Sequence, residues 1–126
     1  MRVLLDTQAL LWWAVDDPRL GPGAADLIAT GTPVVSTVLL WEIAIKVNIG
    51  KLAADTREIA ALVADQSMGR LAIADGHIFR SQDLPMYHRD PFDRLLVAQS
   101  LEEDLPILTA DTKLHAYGAA ILDAGA

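Results

Sequence analysis

The stretch MRVLLDTQALLWWAV, residues 1–15, joins a short apolar run directly to a helical pattern. The run from Arg2 to Leu5 is rich in branched apolar residues and predicts a buried strand. Apolar residues from Leu10 to Val15 then recur at helical spacing, which predicts a helix immediately after the strand. Asp6 lies at this junction. A strand followed at once by a helix, with an acid between them, is the first sign of an α/β fold.

The rest of the chain repeats this alternation of short apolar runs and helical segments. Further strands are predicted at Pro33–Ser36, Leu71–Ile73, Pro106–Leu108 and, at a sheet edge, Ala119–Leu122. Further helices are predicted at Ala24–Ala29, Val38–Val47 with Thr37 as its cap, Ile59–Val63, and from Asp90 and Pro91 onward. The alternation predicts a mostly parallel sheet flanked by helices.

Acidic side chains occur where several of these strands end. Asp6, Glu42 and Asp111 each follow a predicted strand, and Asp93 lies in the first turn of its helix. In parallel α/β sheets, ligands bind beyond the carboxyl ends of the strands. We therefore expect the four acids to meet at one edge of the sheet.

Length and composition limit the class of protein. The 126 residues, of which 52% are hydrophobic, are enough for one domain with a substantial core, covering residues 1–126. The absence of cysteine excludes disulfides and thiolate metal sites. No apolar run approaches the roughly 18–20 residues that span a bilayer, and the start lacks a signal-peptide pattern, so we expect a cytoplasmic protein without a membrane partner.

The formal net charge of −7 argues at first against a nucleic-acid ligand, because Lys and Arg supply most phosphate binding. Clustered carboxylates change this interpretation, since a bound divalent cation reverses the local field. Mg²⁺ or Mn²⁺ prefers oxygen ligands and supports phosphodiester hydrolysis. If the acids converge, they favour a divalent cation site, and metal-dependent hydrolysis of a phosphodiester becomes feasible there.

Four segments carry a resemblance to a known family: MRVLLDT, STVLLWEIAIKVNIGKL, YHRDPFDRLLVAQS and LTAD. In this order they resemble the PIN-domain ribonucleases, and in particular the VapC-type toxins of bacterial toxin-antitoxin pairs. The resemblance spans nearly the whole chain. It implies a single PIN domain with a three-layer α/β/α architecture, cleavage of RNA, dependence on Mg²⁺ or Mn²⁺, a homodimer, and inhibition by a cognate VapB-type antitoxin.

Roles for individual residues follow from matching these motifs. Asp6, Glu42 and Asp93 would be the core metal ligands, and Asp111 would be the fourth, often acting through water. Asp90 belongs to the DPFD motif, although an Asp before Pro at a helix start is also an ordinary cap.

Other residues near the acids have two interpretations each. Lys46 could form an ion pair with Glu42 or contact substrate phosphate. Thr7 and Thr109 could hydrogen-bond to the acids or to a metal-bound water, or act as caps. Arg94, like Arg89, could hold RNA or lie on the surface. The three histidines show no metal-ligand spacing, and the three tryptophans are expected in the core or at a partner interface: His77, His88, His115, Trp12, Trp13 and Trp41.

Two other classes of protein would share some of these features. A phosphoaccepting receiver domain has a similar size and an acidic pocket, but it pairs two acids after its first strand and carries a late Lys, whereas Asp6 stands alone. A noncatalytic binding module of PIN-like fold is the second alternative, and the presence of all four acids argues against it.

Overall fold

The computed structural model describes all residues from 1 to 126, with six α-helices, one 3₁₀ helix and five strands. The strands are β1 (Arg2–Leu5), β2 (Thr32–Ser36), β3 (Gly69–Leu71), β4 (Ile107–Thr109) and β5 (Ile121–Asp123). The helices are α1 (Thr7–Ala14), α2 (Pro22–Thr30), α3 (Thr37–Asn48), α4 (Thr56–Asp65), α5 (Asp75–Asp83), α6 (Pro91–Glu103) and the 3₁₀ helix Thr112–Tyr117.

The five strands form one sheet in the order β3-β2-β1-β4-β5. Every neighbouring pair is parallel, so the predicted mostly parallel sheet is parallel throughout. The chain moves from β1 outward to β3 and then crosses back to β4, on the other side of β1. Strand order therefore reverses between β1 and β4, and a crevice at the carboxyl ends of these two strands is the expected ligand position.

Burial follows from the parallel pairing. In β1, Val3, Leu4 and Leu5 are fully buried, because helices cover the sheet in a three-layer α/β/α arrangement. Leu39 and Ile43 of α3 belong to the same core cluster. No helix has the length and hydropathy required of a membrane span.

A buried polar network ties the end of β2 to α5 and α6. The Ser36 hydroxyl donates to Gln99 Oε1 at 2.6 Å and accepts the Val38 N–H, so Ser36 rather than the predicted Thr37 caps α3. Gln99 Nε2 lies 3.3 Å from His77 Nδ1, and His77 Nε2 lies 2.9 Å from Glu103 Oε1. This network holds the two C-terminal helices against the strand.

The bounds of two predicted strands need correction, and two helical segments were missed. The strand predicted at Leu71–Ile73 is Gly69–Leu71, because pairing with β2 begins at Val34 and Gly69. The edge strand predicted at Ala119–Leu122 is Ile121–Asp123. Helix α5 and the 3₁₀ helix were not predicted: apolar periodicity is weak in both segments, and their ends are fixed by caps and tertiary contacts.

Candidate active site

Asp6 connects β1 to α1 and is held at both carboxylate oxygens. As the N-cap of α1, its Oδ1 accepts the Ala9 N–H at 2.7 Å. Its Oδ2 accepts the hydroxyl of Thr109, the last residue of β4, at 2.5 Å. The side chain is buried, and these two bonds fix its position at the reversal between β1 and β4.

Glu42 lies on the second turn of α3, inside the helix that the sequence predicted after β2. It is buried, and its Oε1 accepts the hydroxyl of Thr7 at 2.6 Å. Its Oε2 forms an ion pair with Lys46 Nζ, one turn later on the same helix, at 2.9 Å. The Thr7 bond joins the first residue of α1 to α3 and places Glu42 beside Asp6.

The start of α6 supplies two acids with different surroundings. Asp90 is the N-cap, and its Oδ1 accepts the N–H groups of Phe92 and Asp93 at 2.8 and 3.1 Å. Pro91 follows it in the first turn, where a missing N–H costs nothing. The Asp93 carboxylate accepts no hydrogen bond, and His88 Nε2 lies 3.6 Å from its Oδ2.

Asp111 follows β4 and caps the 3₁₀ helix. Its Oδ1 accepts the Lys113 N–H at 3.0 Å, and its Oδ2 lies 3.2 Å from His88 Nε2. The backbone N–H of Asp111 donates to the Thr109 hydroxyl at 2.9 Å. Thr109 therefore links Asp111 to Asp6 through a single side chain.

These acids line one cleft of about 470 Å³ at the carboxyl edge of the sheet. Its lining residues are Asp6, Thr7, Gln8, Glu42, Lys46, Asp90, Asp93, Ala110, Asp111 and Lys113. All four acids that the sequence predicted to converge are brought together here. Two lysines face five carboxylates, so the cleft carries an excess of negative charge.

The crowding affects the protonation of two acids. Burial raises the pKa of Asp6, with further contributions from Glu42 and Asp111, while the hydrogen bonds from Thr109 and Ala9 oppose the rise. Burial also raises the pKa of Asp93 to about 7; the charge of Asp90 adds to the rise and His88 opposes it. Both shifts reflect carboxylates that lack sufficient compensation by positive charge.

The donor set fits a hard divalent cation. The cleft offers carboxylate oxygens without thiolates, which suits Mg²⁺ or Mn²⁺. A cation here would compensate the charge of Asp93, whose pKa is raised to about 7 first by burial and then by the charge of Asp90. Asp6, Glu42, Asp93 and Asp111 are the residues that could hold it.

The neighbouring predicted residues differ in position. Thr7 and Thr109 hydrogen-bond to Glu42 and Asp6, and Lys46 forms the ion pair with Glu42. Arg94 does not line the cleft: its guanidinium donates to the carbonyls of Ser81, Leu84 and Pro85. These bonds hold the segment before α6, so the suggested RNA contact of Arg94 is not supported by its position.

His88 is the neighbour of the acids that sequence reasoning did not assign to the site. Its position two residues before the cap Asp90 was a usable signal, because a residue there lies near the first turn of α6.

The tryptophans differ in exposure. Trp12 and Trp13 pack against the core, as expected, whereas the side chain of Trp41 is 57% exposed.

Strand order decides against the receiver-domain alternative. Doubly wound folds of the receiver type have the order 2-1-3-4-5. The sheet here has the order β3-β2-β1-β4-β5, so its first strand has different neighbours. The acidic cleft is therefore not a receiver phosphorylation pocket.

Comparison with known proteins agrees with this fold. The PIN domain family model matches residues 3–120. Among solved structures, VapBC2 from Rickettsia felis, bound to a promoter DNA fragment, aligns with a TM-score of 0.74 at 15% identity, over 98% of each chain. FitAcB from Neisseria gonorrhoeae gives 0.68 at 15% identity, over 98% of each chain.

A third structure, the sarcin-ricin loop-cleaving toxin VapC20 from Mycobacterium tuberculosis, gives a TM-score of 0.68 at 16% identity, over 94% of this chain and 96% of that one. At such identities the likeness concerns the fold. Comparison with curated protein sequences gives no significant match.

Proposed function

The chain belongs to the PIN domain family, and on that premise we propose that it is a metal-dependent endoribonuclease that acts as the toxin of a toxin-antitoxin pair. The observation that carries the proposal is the convergence of Asp6, Glu42, Asp93 and Asp111 on one cleft at the carboxyl edge of the sheet. Clustered, partly buried carboxylates destabilise a fold unless a bound cation or another partner compensates their charge. Metal-dependent hydrolysis of a phosphodiester is the reaction that fits such a site.

The chain's own residues supply orientation. Thr109 and the Ala9 N–H fix Asp6, while Thr7 and Lys46 fix Glu42, so these two carboxylates are preorganised. Asp93 projects a carboxylate without a hydrogen-bond donor into the cleft. A bound Mg²⁺ or Mn²⁺ would supply Lewis acidity, favouring deprotonation of the attacking water and offsetting charge on the phosphate.

The reaction that follows is attack of water on phosphorus. A bond forms between the water oxygen and phosphorus, and the bond from phosphorus to the 3′-oxygen breaks, with a proton passing to the departing 3′-oxygen. The products are a 5′-phosphate and a 3′-hydroxyl. Lys46, whose side chain is 44% exposed, is placed at the cleft to approach a substrate phosphate once its pairing with Glu42 relaxes.

End-group analysis of RNA cleaved by the purified protein tests the proposal. We expect cleavage in Mg²⁺ or Mn²⁺, none in EDTA, and 5′-phosphate ends that accept ligation. Cleavage that persists in EDTA, or 2′,3′-cyclic phosphate ends, would contradict it, since the latter require attack by the 2′-hydroxyl. No cleavage of any RNA in either metal would favour the noncatalytic module.

The toxin assignment draws support from the neighbours, whose names describe VapBC and FitAB pairs and a toxin-antitoxin complex. We propose a homodimer and a small VapB-type antitoxin partner, with a basic or Arg-bearing segment that enters the acidic cleft. Light scattering should give twice the chain mass. Coexpression with the neighbouring open reading frame should restore growth to cells that the chain arrests, and a strict monomer without such a suppressor would contradict this part.

A further inference from the structure

His88 stands between two acids of the cleft on an ordered stretch of backbone. Its Nε2 lies 3.2 Å from Asp111 Oδ2 and 3.6 Å from Asp93 Oδ2. Ligand atoms of these three residues all lie within 4.8 Å of one another, close enough to surround one cation. Two roles are therefore open to the ring: it could bind a metal through Nε2, or it could donate a hydrogen bond from that atom.

Two sets of contacts that do not use the ring hold the backbone around His88. The His88 N–H donates to the Tyr117 hydroxyl at 2.7 Å, which ties this segment to the 3₁₀ helix. Arg94 holds the preceding carbonyls, including that of Pro85 at 2.8 Å. Because these contacts do not involve the His88 side chain, a change of that side chain removes the hydrogen bond that its Nδ1 accepts from Asp90 and should leave the others in place.

The other ring nitrogen decides between the two roles. Nδ1 of His88 faces the backbone N–H of Asp90 at 3.3 Å and accepts from it. A nitrogen that accepts a hydrogen bond carries no proton, so the neutral ring has its proton on Nε2. Binding a metal through Nε2 would require the proton on Nδ1, where it would point at the Asp90 N–H.

We propose that His88 is a positioning residue that donates from Nε2 to Asp111, with Asp93 as its second neighbour, and that it is not a metal ligand. The proposal rests on the proposed function, because it assigns His88 a task within the same metal-binding cleft. With Lys113 N–H on Oδ1 and His88 on Oδ2, the Asp111 carboxylate is held at both oxygens. The His88 ring therefore orients the Asp111 carboxylate without itself binding the metal.

Loss of such an outer hydrogen bond weakens metal sites by about 10- to 100-fold. His88→Ala removes the donor, whereas His88→Gln can place an amide N–H near the position of Nε2. We expect Mn²⁺ to bind His88→Ala at least about tenfold more weakly than wild type, and His88→Gln to recover most of the loss. His115→Gln, an exposed histidine of the 3₁₀ helix, is the matched control and should bind like wild type.

Two spectroscopic measurements separate the roles. In metal-free protein, long-range ¹H–¹⁵N correlation should show His88 Nε2 as the protonated ring nitrogen. With Mn²⁺ bound, electron spin-echo spectra should be free of any coupling from a nitrogen bound directly to the metal. The spectra of wild type and the His88 variants should therefore agree in this respect. An unprotonated Nε2, such a nitrogen coupling, or equal losses in His88→Ala and His88→Gln would overturn the proposal.

These results are independent of nuclease activity. A wild-type protein that fails to cleave RNA would contradict the proposed function, while the proton position on His88 would still be read from the metal-free spectrum. Conversely, a cleaving enzyme with nitrogen bound to Mn²⁺ would keep the function and overturn the role of His88.

Discussion

At the scale of single residues, the four acids of the cleft differ in how many hydrogen bonds hold them. Asp6 and Asp111 each accept at both oxygens, and Glu42 accepts a hydroxyl and pairs with a lysine. The Asp93 carboxylate accepts no hydrogen bond, and burial raises its pKa to about 7. In the metal-free protein, ionisation of Asp93 therefore opposes folding.

This difference predicts a pH-dependent stability in EDTA. An unfolded Asp has a pKa of about 4, and the folded value is higher, so protonation of Asp93 favours the folded state. Its stabilising contribution is complete below about pH 4 and is lost as the pH rises through about 7. Asp93→Asn cannot ionise, so at pH 8 it should be more stable than wild type by roughly 1–3 kcal/mol.

Chemical denaturation of both proteins from pH 5 to pH 8 measures this. The difference in unfolding free energy should grow toward pH 7 and then level off, and the variant should not cleave RNA. Asp26→Asn, an exposed acid of α2, controls for the change in net charge and should follow wild type. If Asp93→Asn were less stable than wild type at pH 8, Asp93 would be a structural residue.

The acids were predictable from sequence for a definable reason. Asp6 and Asp111 follow apolar strands directly, and parallel strands bring such positions to one edge. The hydrogen bonds of His88 and Arg94 were not predictable, because they depend on how the chain folds between the end of α5 and the start of α6. The carbonyls that Arg94 binds and the distance from His88 to Asp111 exist only after that segment folds.

At the scale of elements, the start of α6 combines a helix cap with the cleft. Asp90 caps the helix through Oδ1, and it also lines the cleft near Asp93. Asn caps helices as well as Asp, whereas Ala does not. The two substitutions therefore separate the cap from the charge.

We expect Asp90→Asn to be at least as stable as wild type, since it keeps the cap and removes a charge beside Asp93, and to keep most of the RNA cleavage. Asp90→Ala should lose about 1 kcal/mol of stability through the unsatisfied N–H groups of Phe92 and Asp93. Thermal unfolding in EDTA together with cleavage rates tests both variants. A large loss of cleavage in a fully stable Asp90→Asn would show that the charge itself belongs to the catalytic set.

The buried Ser36–Gln99 bond offers a second test at this scale. Replacing Gln99 by Leu leaves the buried Ser36 hydroxyl without its hydrogen-bond acceptor. This change should lower the free energy of unfolding by about 1–3 kcal/mol. Because the two side chains share the bond, Ser36→Ala combined with Gln99→Leu should cost less than the sum of the single changes. Gln82→Leu, on the exposed face of α5, is the control. Additive costs in urea unfolding would mean that the bond contributes little.

Most elements followed from the sequence, and the failures have a common cause. Strong apolar periodicity predicted β1, β2, β4, α3 and α6 close to their observed bounds. Helix α5 carries few apolar residues, and its start depends on His77 Nδ1 accepting the Ala74 N–H at 2.9 Å. The bounds of β3 depend on pairing with β2. Interactions across the fold, which local patterns do not encode, determine these segments.

At the scale of the whole molecule, the net charge of −7 and the acid-lined cleft act together on any RNA substrate. Proteins that bind nucleic acid through lysines and arginines bind more tightly as salt is lowered, because more counterions are released. An acidic surface behaves oppositely, since lower salt lengthens the range of repulsion. We therefore expect a divalent cation to strengthen the binding of RNA, and we expect no such gain when the salt concentration is lowered.

Fluorescence anisotropy with a labelled single-stranded RNA tests this expectation, with Ca²⁺ as an oxygen-preferring cation and the RNA checked for integrity on a gel afterwards. In EDTA, binding should be weak and should not strengthen between 200 and 50 mM salt, the range over which basic proteins gain about 10³- to 10⁵-fold. Addition of Ca²⁺ should strengthen it at least about tenfold, because the cation joins the cleft acids to a phosphate. Asp93→Asn should lose this gain, whereas Asp26→Asn, with the same change in net charge, should keep it. Tight binding in EDTA that strengthens at low salt would place the RNA on a basic surface away from the cleft, and the acids would then not be its contact site.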